Sequence, residues 1–178
     1  MDGVEITAGR LHLRPWQPGD APEVYAACQD PEIARWVTAI PCPYLESDAR
    51  EFVEQTSPRG WAAGTDAPFA VLDATTGALL ASVGLHHIEP MDGVARVGFW
   101  CAAPARRRGV TTSAVRAACR WGFAALGLGR IEWYAEVGNA ASRRVAEKAG
   151  FTVEATLRSR LARRDGTRVD AWLARLLP

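Results

Sequence analysis

The spacing of apolar and polar positions changes period several times along the chain, and each change marks an element. Leu11-His12-Leu13-Arg14 alternates with period two, as a strand does, until Pro15 and a turn at Pro18-Gly19 break it. Helical spacing follows in APEVYAAC, with Asp20 where an N-cap belongs and Glu23 three positions later as in a capping box. Asp30, with Pro31 at the first helical position, opens a second helix over residues 32–37, and Ser47 opens a third, DAREFVEQ, expected to end before Pro58. Period two returns over residues 69–73 and 79–88, joined by Thr75-Thr76-Gly77. After Met91-Asp92-Gly93 it returns again over 94–101. Three strands joined by short turns predict an antiparallel meander.

From there the order is strand, helix, strand, helix, strand. A helix over residues 108–126 stops at Gly127, and Val110, Ala114, Ala117, Trp121, Ala124 and Leu128 recur at three and four residues as one buried stripe. A strand over 131–137 leads to Asn139, which caps a helix ending in Gly150. Strands over 151–157 and 168–176 flank a hairpin turn at Asp165-Gly166. The fold class is α/β (α+β): one domain with a mixed, mostly antiparallel central sheet of about seven strands and helices on both faces.

Composition is ordinary for a globular domain, with 48% apolar and 23% charged residues in 178. The net charge of +1 hides a division. Residues 1–95 carry 5 Arg against 14 Asp and Glu, whereas 96–178 carry 15 Arg and Lys148 against 6. An acidic first half thus precedes a basic second half that is suited to an anion. Cys28, Cys42, Cys101 and Cys119 lie too far apart for a zinc motif or a disulfide framework, so no metal is expected, and Cys101 and Cys119 read as buried thiols. MDGVEITAGR has neither the basic nor the apolar region of a leader, so a cytoplasmic protein without a membrane partner is expected.

Chemistry concentrates in GFWCAAPARRRGVTTSAV, where a strand passes through Arg106-Arg107-Arg108-Gly109 directly into a helix. The first N–H groups of a helix lack internal partners and lie at the positive end of its dipole, and a glycine lets backbone come close to a ligand. This outlines a pyrophosphate site, although neither GxGxxG nor GxxxxGK[ST] is present. A solvated Arg cluster is the competing reading.

The same segment resembles motif A of the GNAT N-acetyltransferase superfamily, [QR]xxGx[GA], with Arg106, Gly109 and Thr111 at its positions. GNAASRRVAEKAGF is similar to motif B, through Asn139, Ser142 and the Lys148-Ala149-Gly150-Phe151 ending. The opening LHLRPWQPGDAPEVYAACQDPEIARW resembles the RimJ/RimL-like branch, which acetylates the N-termini of ribosomal proteins. The similarity covers residues 11–177. It departs from the pattern at Thr111, in place of Gly or Ala, and at Arg96, where the branch often carries a Glu.

The resemblance implies an acetyl-CoA-dependent N-acetyltransferase that moves the acetyl group directly to a primary amine in a ternary complex, with no metal. Acetyl-CoA would be held by Arg106, Arg107, Arg108, Gly109, Val110, Thr111 and Thr112, and by backbone N–H of the strand around Trp100 and Cys101. Asn139 would hydrogen-bond the pantetheine arm, and Ser142 would protonate the departing sulfur. For the base, His87 is the candidate from the His86-His87-Glu89 cluster, Glu136 is an alternative, and a water relay needs neither. Trp36 and Arg96 are the expected acceptor contacts. The acidic first half would steer cationic amines, whether a peptide N-terminus or a small molecule. A catalytically silent acyl-CoA sensor, suggested by Arg96, and an Arg-rich nucleic-acid module are the alternatives; the latter lacks any nucleic-acid motif, so no nucleic acid is expected. A homodimer is left open.

Overall fold

Two strands absent or incomplete in the periodicity open the computed structural model, which describes residues 1–178. β1 (Ile6–Ala8) is too short to show a period, and it pairs antiparallel with β2 (Leu11–Pro15). The sheet therefore has eight strands instead of about seven. Helices α1 (Ala21–Cys28), α2 (Pro31–Trp36), α3 (Glu46–Glu51) and α4 (Ser57–Ala63) follow.

The capping box expected at Asp20 does not form. Its carboxylate instead receives both terminal nitrogens of Arg14, at 2.8 and 2.7 Å, and the Gln17 N–H, while Glu23 accepts the N–H of Leu79. A part-buried guanidinium that binds both carboxylate oxygens competes better for them than a helix N–H does. Asp30 does cap α2, accepting the Glu32 N–H at 2.8 Å. The third helix starts at Glu46, with Asp48 accepting the Leu45 N–H, and does not end before Pro58. A π-helical turn over residues 52–56 sets the hydrogen-bond register back by one residue, and Ser57 N–H reaches the Phe52 carbonyl. Pro58 then falls in the first turn of α4, where a missing N–H costs little.

The meander forms as expected from β3 (Ala67–Asp73), β4 (Leu79–Glu89) and β5 (Val94–Cys101). After it come α5 (Val110–Leu126), β6 (Arg130–Glu136), α6 (Ala140–Ala149), β7 (Thr152–Ala162) and β8 (Arg168–Leu176). The strand order is β1-β2-β3-β4-β5-β6-β8-β7, antiparallel except for β5 beside β6.

Each strand turns alternate side chains to opposite faces. One face, bearing Leu13, Phe69, Val83, Val97 and Trp133, packs under α5 and α6. The other, bearing Ala70, Leu72 and Trp100, packs under α1 to α3. Val110, Ala114, Ala117 and Leu128 are buried as predicted and Trp121 packs against the same core, joined by Val115, Ala118 and Gly122, whereas Ala124 is exposed, contrary to the predicted stripe. Gly122 widens the buried face: a Cβ there would stand 2.6 Å from Leu85 Cδ1, so the helix approaches the sheet closely on this side.

Phe69 is fully buried at the centre of this core, with ring centroids 5.1 Å from Trp61 and 5.5 Å from Trp121. Phe69→Ala is expected to cost about 3–5 kcal/mol and lower Tm by roughly 10 °C, measured by thermal and denaturant unfolding.

The decisive feature is the parallel pair. β5 and β6 are in register only over Val94↔Arg130, Ala95↔Ile131 and Arg96↔Glu132, and from there the strands diverge. A V-shaped gap thus opens inside the sheet, with the loop into α5 beyond one arm and the start of α6 beyond the other.

Candidate active site

In the loop into α5, Arg107 has φ 62 and Gly109 has φ 77, two left-handed residues that fold the chain tightly before the helix. No N–H group from Arg107 to Thr112 makes a hydrogen bond within the protein; the first helical bond of the segment is Ser113 N–H to the Gly109 carbonyl. Six consecutive unpaired donors at the N-terminus of a helix of 17 residues form a nest for a polyanion. Val110 and Thr111 are buried, so they offer backbone N–H and not side chains, whereas Arg107 and Arg108 are exposed and have no carboxylate partner. Arg106 differs. Its Nε donates to the Cys101 carbonyl at 3.2 Å and its Nη2 to Asp30 at 2.5 Å, so this side chain braces the loop against α2 and keeps Nη1 without a protein partner.

Along β5, Ala102 N–H bonds the Leu80 carbonyl on the β4 side. By alternation Trp100 also turns its backbone to β4, while Phe99 and Cys101 turn theirs into the gap. Of the expected Phe99, Trp100 and Cys101, the backbone pair facing the gap is thus Phe99 and Cys101, and Trp100 turns away from it. The Trp100 side chain lies on the α1–α3 face, 6.3 Å from Trp16 between ring centroids. Burial pushes the Cys101 thiol up, against the opposing pull of the Thr111 hydroxyl and of Arg106 and Arg108, so it is not a ready nucleophile.

On the other arm, Asn139 Oδ1 accepts the Ser142 N–H at 3.1 Å, which leaves its amide NH2 free to donate. Ser142 Oγ accepts the indole N–H of Trp133 at 3.1 Å. With that lone pair occupied by a buried donor, the Ser142 hydroxyl keeps its own hydrogen to give away.

The two histidines separate. His87 sits on a β-bulge, exposed, with φ 50, and is turned away from the sheet. His86 instead lies flat across the α1–α3 face: its Nδ1 is 3.0 Å from Asp66 Oδ1, and its Nε2 lies 3.4 Å from where a Cβ of Gly98 would stand. A Cβ on Gly84, the register partner of Gly98, would come within 2.6 Å of the same nitrogen, so both glycines are required for the ring to lie there. The ring thus lies over β4, with Nε2 nearest Gly84 and Cδ2 nearest Gly98 on β5, two residues beyond the last pair of the parallel register. The hydrogen bond from His86 holds the Asp66 carboxyl down to about 2. An ionised carboxylate only accepts; Nδ1 therefore carries the proton, and Nε2 of the neutral ring is a free acceptor. His87, the expected base, is thus exposed on the bulge, and His86 is the histidine that lies on the α1–α3 face.

Beyond the point of the V on this face, Tyr134 lies between Arg96 and Arg160, each guanidinium 5.2 Å from the ring centroid. Its hydroxyl donates to Glu132 at 2.8 Å, and Glu132 is also paired with Arg130. Burial chiefly, and then the bond to Glu132, raise the Tyr134 hydroxyl above its ordinary range. Further along, a cleft of about 390 Å³ lies between α2 and the β7–β8 hairpin, lined by Arg35, Trp36, Glu136, Arg163, Arg164 and Asp165. Glu136 is ion-paired with Arg163, and the Arg164 guanidinium donates to the carbonyls of Ala34, Val37 and Ile40 at the end of α2. This side was expected to be acidic, yet Glu46, Glu51 and Glu54 are exposed on the outer surface of their helix, and the cleft itself is lined with arginine.

Asp66, Tyr134, Arg160 and Arg164 have no motif to announce them. The one sequence signal for Asp66 was the Thr65-Asp66 turn before a strand whose partner carries His86. No group of three or more His, Cys, Asp or Glu side chains converges to hold a metal ion, and no helix is long and apolar enough to cross a membrane.

A strand gap, an anion nest at a helix N-terminus and a hydroxyl facing them define an acyl-group transfer site. The chain belongs to the GNAT acetyltransferase family: residues 10–152 match the acetyltransferase (GNAT) domain. It is 34% identical over 85 residues to YdaF of Bacillus subtilis, provisionally named a ribosomal N-acetyltransferase, a match spanning 48% of this chain and 46% of that protein. It is 25% identical over 94% of its length to the uncharacterized N-acetyltransferase p20 of Bacillus licheniformis, covering 93% of the latter. Its fold superposes on RimL, the ribosomal L7/L12 alpha-N-protein acetyltransferase solved with coenzyme A, with a TM-score of 0.86 at 17% identity over 98% of both chains.

Proposed function

We propose that this chain transfers an acetyl group from acetyl-CoA directly to a primary amine, of a protein N-terminus or a small molecule. The observation that carries this is the run of unpaired N–H groups from Arg107 to Thr112 at the end of the β5 arm of the gap, with His86 on β4 beside that arm and Ser142 in the first turn of α6 beyond the other. Likeness to ribosomal-protein acetyltransferases supports a protein acceptor.

Acetyl-CoA supplies an activated acyl group as a thioester. The nest, with Arg107 and Arg108 at its rim, holds the pyrophosphate by backbone donors. The Asn139 amide holds the pantetheine arm, and Phe99 and Cys101 N–H groups meet the carbonyl oxygen, where negative charge gathers as the amine adds. His86 Nε2 takes the proton that the amine must lose, and Ser142 gives its hydroxyl proton to the sulfur as the C–S bond breaks and the C–N bond forms; water then returns a proton to Ser142 and removes the one on His86, so the net change is one proton moved from nitrogen to sulfur. A silent sensor would need neither the Asp66–His86 pair nor a hydroxyl held by Trp133.

A thiol-release assay across a panel of amines and peptides, with calorimetry for CoA, tests the reading. Saturable CoA binding and turnover of at least one acceptor are expected, and Ser142→Ala should lower kcat about 10- to 100-fold with little change in CoA affinity. Absence of both binding and turnover sinks it.

A further inference from the structure

Resting on that reading, we infer that the acceptor is a peptide whose amino-terminal residues carry carboxylates. The gap is approached from the α1–α3 face along β6, whose Glu132, Tyr134 and Glu136 alternate onto that face. This path is walled by α2 on one side and the β7–β8 hairpin on the other. From Glu132 to Glu136 it spans roughly 13 Å, the reach of an extended chain of about four residues and longer than a free amino acid.

The charge along the path is lopsided. Five guanidiniums (Arg35, Arg96, Arg160, Arg163 and Arg164) meet three carboxylates (Glu132, Glu136 and Asp165). Both glutamates are already satisfied, Glu132 by Arg130 and the Tyr134 hydroxyl, Glu136 by Arg163, and Asp165 accepts the Thr167 N–H. Arg35, Arg96, Arg160 and Arg164 have no carboxylate within 4.0 Å. Arg164 is spent on the carbonyls of α2 and Arg35 stacks on Trp36 at 4.6 Å. That leaves Arg96 and Arg160, held half-buried on the two sides of one tyrosine ring beside the point where the strands part. Stacking fixes each guanidinium in orientation and leaves its N–H edge open, the geometry that receives a carboxylate in a fork. A lysine or arginine near the acceptor's amine would meet two uncompensated cations there.

The test compares initial rates with acetyl-CoA for peptides that share an amino-terminal serine and carry Asp-Glu, Ala-Ala or Lys-Arg at the next two positions, together with free glutamate and aspartate. The acidic peptide is expected to show a KM at least tenfold below that of the Lys-Arg peptide at similar kcat, a ratio that collapses at 0.5 M salt. Arg96→Glu and Arg160→Glu should each raise KM for the acidic peptide tenfold or more and lower it for the basic one. Calorimetric CoA affinity and Tm, checked on the same variants, separate this from misfolding; Arg96→Gln and Arg160→Gln, which keep a neutral donor, should abolish the preference without inverting it. Equal KM values, or preference for the basic peptide, overturn the inference while leaving acetyl transfer standing. Faster acetylation of free glutamate or aspartate overturns the peptide assignment. If CoA binds but no amine of any charge is acetylated, the parent reading fails and this one with it.

Discussion

Replacing His86 by Gln lowers kcat by about 10²–10⁴-fold, the usual contribution of a positioned base, while CoA still binds. The expectation rests on geometry: a ring that lies against two glycines, with one nitrogen donating to Asp66 and the other without a partner between Gly84 and Gly98. It also fixes the sign of the pH dependence. A protonated imidazole cannot accept the amine's proton, so a native rate carried by His86 rises with pH, while Asp66, held at about 2, is ionised from mildly acid pH upward. In His86→Gln that limb of the kcat profile should vanish, leaving a low rate that depends on pH only through the amine. His87→Gln, on the exposed bulge, should leave rate and profile close to native. A pair of pH–rate profiles decides; reversal of the two outcomes would return the role to His87.

Gly109→Val should weaken CoA binding by about 10- to 100-fold, measured by calorimetry, because a β-branched residue at φ 77 stores roughly 1–3 kcal/mol of strain. Nothing lies within 4 Å of a Cβ at this position, so the penalty is conformational and not steric. The exposed loop can relieve it by abandoning the left-handed turn, which scatters the N–H groups that form the nest. Stability should therefore change little while affinity falls. An equal fall in Tm and affinity would place Gly109 in the folding of the loop and not in ligand recognition.

What the sequence discloses follows from what is local. Asn139 and Gly150 bound α6 as their positions demand, and Asp30 caps α2, because a cap is decided by its own turn. Gly109, expected inside a helix starting at residue 108, is instead left-handed and precedes α5, because the helix start is set by the loop that folds back before it. Asp20 failed as a cap because Arg14, six residues away and on a strand, claimed its carboxylate. The helix through Pro58 could not be foreseen, since a π-helical turn leaves no mark in residue type. For the histidines the difficulty was parity: alternation says that neighbours face opposite sides, but only the register with β5 and the two glycines tells which side is the site. The charge division of the chain misled for a related reason. It was counted along the sequence, and the arginines of β5, β7 and the hairpin fold over the very helices whose acids were expected to colour the cleft.

One consequence concerns α2. Six residues are too few for a helix to persist by itself. Here it is clamped at both ends by guanidiniums from the other half of the chain, Arg106 on Asp30 at its start and Arg164 on the carbonyls at its end. A plank fastened at two points does not bend to suit its load. Any adjustment of this wall of the cleft is therefore left to the span that leaves its far end, residues 38–43, while the plank and the loop braced against it stay where they are.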